Sequence, residues 1–168
     1  MNQQTTIFEN YPWTTPLVEN FVWFEVYLLG FVIILLFNIW AAHIYLVYSL
    51  VCMYLIIPRF VCTSCSYYGK TCHSGQGRIS GLLFSKRDTN LFGSNFKYMR
   101  FAGPVFLLPL IIGIILIFFH YSFALALLTF AFGITALCCT RIVTYKLGCP
   151  HCNQKSICPG CNKIRNKQ

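Results

Sequence analysis

Two stretches of this chain, residues 21–57 and 104–140, each run for 37 residues with Glu25 as the only charged side chain in either. About 20 apolar residues already cross the hydrocarbon core of a bilayer, so each stretch is long enough to cross twice. Water is absent at that depth, and every backbone N–H and C=O must find its partner within the membrane, which makes the spans helices. With 57% hydrophobic and only 10% charged residues, the chain reads as an all-α integral membrane protein of four short transmembrane helices arranged as two hairpins.

The second stretch divides at His120, Tyr121 and Ser122, giving spans at about 104–120 and 122–140, each near the lower limit of about 17 residues for a crossing. In the first stretch Thr15 and Pro16 read as N-cap and first helical residue. A helix over 16–37 then crosses once, Asn38 to His43 form a tight outer turn, and a helix over about 40–58 returns. No Gly or Pro marks that turn, which leaves a three-span arrangement open: an interfacial helix, a single crossing and an N-terminus outside. No Lys or Arg precedes the first apolar run and no small-residue cleavage site follows it, so retention of the full chain is expected rather than cleavage as a signal peptide.

Charge orients this arrangement. All thirteen Lys and Arg lie either between Arg59 and Arg100 or between Arg141 and Lys167, where Asp88 is the only acid, while Glu9, Glu19 and Glu25 occupy the N-terminal region. Cations near membrane ends are held on the cytoplasmic side. That places loop 59–103 and the C-terminus in the cytosol, with a prokaryotic inner (plasma) membrane as the expected setting. The chain divides into a polar N-terminus (1–15), a first hairpin (16–58), a basic, cysteine-rich interfacial loop (59–103), a second hairpin (104–140) and a basic tail (141–168). Each half repeats one theme, an apolar stretch followed by an arginine (Arg59, Arg141) and a cysteine cluster, with too little residue similarity to argue for duplication.

The loop alternates apolar residues such as Leu82, Leu83, Phe84, Phe92 and Phe96 with Arg78, Lys86, Arg87, Lys97 and Arg100. Segments that lie in the headgroup plane have this composition. It reads as an interfacial collar in contact with anionic lipid headgroups, with a docking platform for a lipid or a protein partner as the alternative.

Seven of the ten cysteines fall in these basic segments. The tail carries Cys149-Pro-His-Cys152, five residues, then Cys158-Pro-Gly-Cys161. A CxxC turn points two thiolates at one ion, and proline stiffens it. Four thiolates favour zinc, with iron in the same geometry as the alternative. Disulfides are disfavoured in a reducing compartment, and redox-active CxxC use stays open. Over Cys149 to Cys161 alone, the tail resembles zinc-ribbon and rubredoxin-type knuckles; the resemblance implies a metal site and no particular function.

The loop cluster is Cys62, Cys65, Cys72 and the adjacent His73. Three thiols and an imidazole form a permitted zinc set, but neighbours such as Cys72 and His73 cannot both reach one ion without strain. The fourth ligand is then expected from elsewhere, the tail included. An iron–sulfur cluster would accept the same donors, and a reactive thiol or plain packing is the other reading. Gly69-Lys70-Thr71 is not a P-loop, because Ser64 stands where the first glycine is required. Gly75, Gln76 and Gly77 read as a turn that reverses the chain, with amides offered to a phosphate as the lesser reading.

Within the spans, Cys52, Cys138 and Cys139 read as small hydrophobes, or alternatively as steps of a metal path. His43 and His120 fall near outer ends, and Glu25 lies inside the first span, where an ionisable group is a functional candidate. There is no Ser-His-Asp set, and four acids in all leave little for general acid–base catalysis. The basic face is already explained by topology, so nucleic acid is not the expected partner. The expectation is a non-enzymatic docking or assembly component with cytosolic structural zinc at Cys149, Cys152, Cys158 and Cys161 and at Cys62, Cys65, Cys72 and His73. The alternatives are a redox component carrying iron–sulfur or iron sites, and a protein that handles or transports soft metals.

Overall fold

A computed structural model of the chain describes residues 7–119 and 122–161. Those residues form helices and connecting turns, with no strand among them. Four helices are long and apolar enough to cross a membrane: α1 (Thr14–Phe37), α2 (Ile39–Ser64), α4 (Thr89–Phe119) and α5 (Phe123–His151). A short helix, α3 (Gln76–Leu83), lies between the second and third.

Asn38 alone turns the chain from α1 into α2, where a turn extending to His43 was expected. Its backbone is extended (φ −162°, ψ 131°), and its side chain accepts from the N–H groups of Trp40 (2.8 Å) and Ala41 (3.1 Å). An asparagine N-cap satisfies the free donors of the new helix without Gly or Pro. α2 also outruns the expected end at residue 58. A π-type turn over Cys52–Ile56 sits directly before Pro58, where the missing N–H and the ring disturb the regular ladder, and the helix then continues into the cysteine cluster. Likewise α5 runs past Arg141 to His151 through π-type turns at Thr135–Cys139 and Thr144–Gly148. Apart from Gly133 near its middle, no glycine or proline interrupts it until Gly148 and Pro150.

α1 packs along α2 and α4, and α4 packs along α5. Val26, Ile33, Val105 and Phe132 are fully buried where these helices meet. Inside a bilayer no hydrophobic force drives helices together, so association relies on close packing at small residues. Gly30 is such a place, since a Cβ there would fall on the Tyr45 hydroxyl and 3.0 Å from Pro109 Cγ. That hydroxyl donates instead to the carbonyl of Val105 across the bundle (3.1 Å). Gly113 does the same between α4 and α5, where a Cβ would come within 2.6 Å of Thr129 Oγ1. The outward faces remain apolar, with Trp40, Phe118 and Phe119 among the most exposed residues.

The N-terminal segment, the loop and the tail meet at one end of the bundle. The backbone N–H of Tyr11 donates to Thr71 O (2.9 Å), its hydroxyl donates to Gly148 O (2.6 Å), and the Phe8 N–H donates to His151 O (3.2 Å). The start of α1 therefore lies at the same end as the cysteine clusters. α3 folds back on α2 through Ser80 Oγ to Pro58 O (3.1 Å), and the Arg87 N–H reaches Thr63 O (2.9 Å). Cations of the loop stack on aromatic rings, Arg78 on Trp13 and Arg59 and Arg87 on Phe60, as suits an interfacial collar.

Candidate metal centre

The last turn of α2 delivers Cys62, and the chain then passes Cys65 and Cys72 before α3 begins at Gln76. Gly75 has φ +77°, a conformation that suits glycine and lets the chain double back. Gly77 packs so tightly that a Cβ would land on the carbonyl oxygen of Tyr67 and 2.7 Å from that of Lys70. Its N–H donates to Cys72 Sγ (3.2 Å). The glycine-rich segment is thus a reversing turn, and the Gly77 amide is committed to sulfur rather than offered to a phosphate. Ser74 Oγ is also 3.4 Å from Cys72 Sγ, while the Cys62 thiol donates to Gln76 Oε1 (3.8 Å).

The tail arrives from the other side. α5 carries Cys149 at its end, and Cys152, Gln154 and Cys158 follow. Tyr67 ties loop to tail: its buried ring bears a hydroxyl that donates to Phe8 O (2.7 Å), approaches His151 O (3.4 Å) and accepts from the Asn153 N–H (3.1 Å). His73 packs on the backbone of Gly148, where a Cβ would come within 2.8 Å of His73 Cδ2. Cys65 and Cys152 both pack against the buried group of Tyr11, Tyr67 and Cys72.

Between this cap and the ends of the helices lies a cavity of about 520 Å³, and all eight candidate ligands line it: Cys62, Cys65, Cys72 and His73 from the loop, Cys149, Cys152, Cys158 and Cys161 from the tail. The two clusters, 77 residues apart at Cys72 and Cys149, face one space. Apolar side chains such as Trp23, Met53 and Phe106 form the membrane-side wall, and Arg100 and Arg141 also border it. Cys149 and Cys161 are joined as a disulfide, so the four tail sulfurs do not stand as four free thiols. Among the described residues, no three His, Cys, Asp or Glu side chains are already gathered closely enough to hold a metal ion.

Electrostatics at the cavity follow from the burial of its thiols. Burial pushes the Cys65 thiol up to about 12; a backbone hydrogen bond from Tyr67 opposes this, while the neighbouring Cys72, Cys152 and Cys158 add to it. Burial raises Cys152 as well, against a backbone hydrogen bond from Gln154, with Cys158 and Cys72 adding to the rise. Without a cation these thiols stay protonated at neutral pH, and a bound cation would reverse that preference. Tyr11 and Tyr67 are likewise raised, chiefly by burial.

Residue patterns alone did not single out Glu19, Gln154, Tyr11 or Tyr67. Glu19 in the first turns of α1 is 6% exposed and its Oε1 lies 3.6 Å from His73 Nε2, while its Oε2 has no hydrogen-bond partner. Gln154, also 6% exposed, has an unpartnered Oε1, and both residues line the cavity. Glu19 was visible only as one of the few acids, and the two tyrosines carried no local signal. The remaining candidates lie elsewhere. Cys52 is part of the bundle core, Cys138 is exposed on α5, and neither these nor Cys139, His43 or Glu25 lines the cavity. His43 bonds the Ile39 carbonyl through Nδ1 (2.8 Å) beside the Asn38 turn. His120 lies outside the described residues. No family model, curated protein or solved structure matches the chain.

Proposed function

We propose that this protein is a non-enzymatic membrane component, its long helices crossing as two hairpins, whose basic end is organised by a soft metal ion, zinc first, and serves as a docking or assembly surface. The observation that carries the reading is the convergence of all eight candidate ligands on one cavity. Nothing in the apolar pattern of the spans requires two distant thiol clusters to meet; a shared ion supplies the reason. A cap this small gains folding free energy from a metal that binds only its closed form. The cytosolic orientation rests on the placement of Lys and Arg. Stacked cations and aromatic rings suit anionic headgroups, and a protein partner would dock on the cap above them.

The test is purification of the full chain in detergent, anaerobically and from metal-replete cells, followed by elemental analysis and an absorption spectrum. The expected result is zinc near stoichiometry and no visible absorbance. Protein free of metal, with every thiol open to alkylation after mild reduction, would refute the reading. Colour with iron would move it to an electron-transfer role.

A further inference from the structure

Resting on the metal reading above, we infer that the ion is held by a divided set, Cys65 and Cys72 from the loop with Cys152 and Cys158 from the tail. The ion then staples loop to tail, instead of closing a knuckle within the tail.

Three of the seven clustered thiols are otherwise engaged. Cys149 is joined to Cys161, and Cys62 donates its hydrogen to the Gln76 side chain at Oε1 (3.8 Å), whereas Cys72 accepts from the Gly77 N–H and meets only the small hydroxyl of Ser74 (3.4 Å). Four remain, the number that a closed tetrahedral zinc site takes. These four are also neighbours across the loop–tail boundary. Cys65 and Cys152 both pack against the buried group that Cys72 forms with Tyr11 and Tyr67, Cys158 lies within electrostatic reach of both Cys65 and Cys152, and all four line the cavity. Backbone amides already serve three of the sulfurs: Gly77 to Cys72 at 3.2 Å, Tyr67 to Cys65 and Gln154 to Cys152. Amide donors of this kind hold the charge of a metal-bound thiolate.

A second observation points to a cation independently of the sulfurs. Gln154 Oε1 is buried at the cavity without a partner, and an unpaired buried oxygen is costly unless positive charge or a donor is near; the Glu19 carboxyl, which faces His73 and Trp23, lies on the same cavity. Tyr67, placed between Cys65 and Cys72 in sequence and bonded to Asn153 beside Cys152, sets the spacing of the two halves. The four sulfurs face one space without being gathered at metal-holding distance, so the ion has to draw them together on binding.

The experiment uses the full chain under argon, loaded with Zn²⁺ or with Co²⁺ as a spectroscopic stand-in, in two forms: with the Cys149–Cys161 bridge kept, and with that bridge opened by a phosphine. Cys65→Ser, Cys72→Ser, Cys152→Ser and Cys158→Ser should each weaken zinc retention by about tenfold or more and diminish the sulfur-to-cobalt charge-transfer band, as loss of one ligand does. Cys62→Ser and the double variant Cys149→Ser/Cys161→Ser should keep the ion and an unchanged spectrum. Because serine in a buried cap can unfold it, the unsubstituted chain supplies a second measurement. Alkylation mapped by mass spectrometry should show about tenfold zinc protection at the four named cysteines and much less at Cys62, Cys149 and Cys161. Zinc protection of all four tail cysteines with none at Cys65 and Cys72 would overturn the divided site and leave the metal reading standing. Absence of any metal in the unsubstituted chain would overturn both.

Discussion

Gly77→Ala tests the cap at its tightest point. The added methyl would land on the Tyr67 carbonyl oxygen and 2.7 Å from that of Lys70, and both are backbone atoms. Neither can retreat cheaply, because Lys70 N donates to Tyr67 O (2.9 Å) and Gly69 N donates to Gly77 O (2.9 Å). Overpacking of this kind costs about 1–3 kcal/mol, with backbone as the obstacle placing it at the upper end, and the backbone shift that moves the retained N–H at position 77 off Cys72 Sγ adds up to about 1 kcal/mol. Alanine in a helix returns about 0.5–1 kcal/mol, so the net is about 3 kcal/mol, or about 100-fold in the opening equilibrium of the loop. Cys72, only 7% exposed, reports that opening through its alkylation rate in metal-free, reduced protein. The expected outcome is labelling about 100-fold faster in Gly77→Ala, with Gly93→Ala as a control, since a Cβ there meets nothing within 4 Å. If Cys72 in Gly77→Ala reacted no faster than in the control, the packing argument for the glycine-rich turn would be refuted.

Three further substitutions probe other joints. Tyr67→Phe removes the hydroxyl shared by Phe8, His151 and Asn153, at a cost of about 1–3 kcal/mol for the groups left unpaired; limited proteolysis should cut within the tail sooner, and unchanged cleavage would argue against Tyr67 as the tie. Gly30→Ala displaces the Tyr45 hydroxyl from Val105 O, so the detergent-solubilised protein should lose about 1–3 kcal/mol, read as a melting temperature lower by several degrees, while wild-type melting would show that α1 and α2 can separate freely. Asn38→Ala removes both capping bonds of α2 and should cost about 1 kcal/mol; Asn38→Ser should recover most of it, and equal melting of the two variants would remove the cap from the account.

The four long helices were legible because a bilayer imposes a length and forbids unpaired backbone, so uninterrupted apolar runs have few alternatives. Their boundaries were less so. Asn38 makes a turn with one residue because its side chain replaces the glycine or proline that such a turn usually needs. α2 and α5 overrun their apolar runs because a helix is not obliged to stop where lipid does, and π-type turns let it pass Pro58 and continue beyond Arg141. The cysteine clusters were visible as local spacings, whereas Tyr11, Tyr67 and Gln154 became interpretable only once distant segments met.

What the residues determine alone is what depends on composition along one segment: an all-helical chain able to cross a membrane, a side rich in cations, and two groups of thiols following apolar runs. Tertiary structure decided which thiols share a space. It joined Cys149 to Cys161, turned Cys62 toward Gln76, and set Cys65 within electrostatic reach of Cys72, Cys152 and Cys158. The physical reason is that a CxxC spacing constrains only its own turn. Which sulfurs meet across 77 residues of chain depends on how α1, α2, α4 and α5 pack, on glycines that admit close approach, and on hydroxyls that bridge one segment to another.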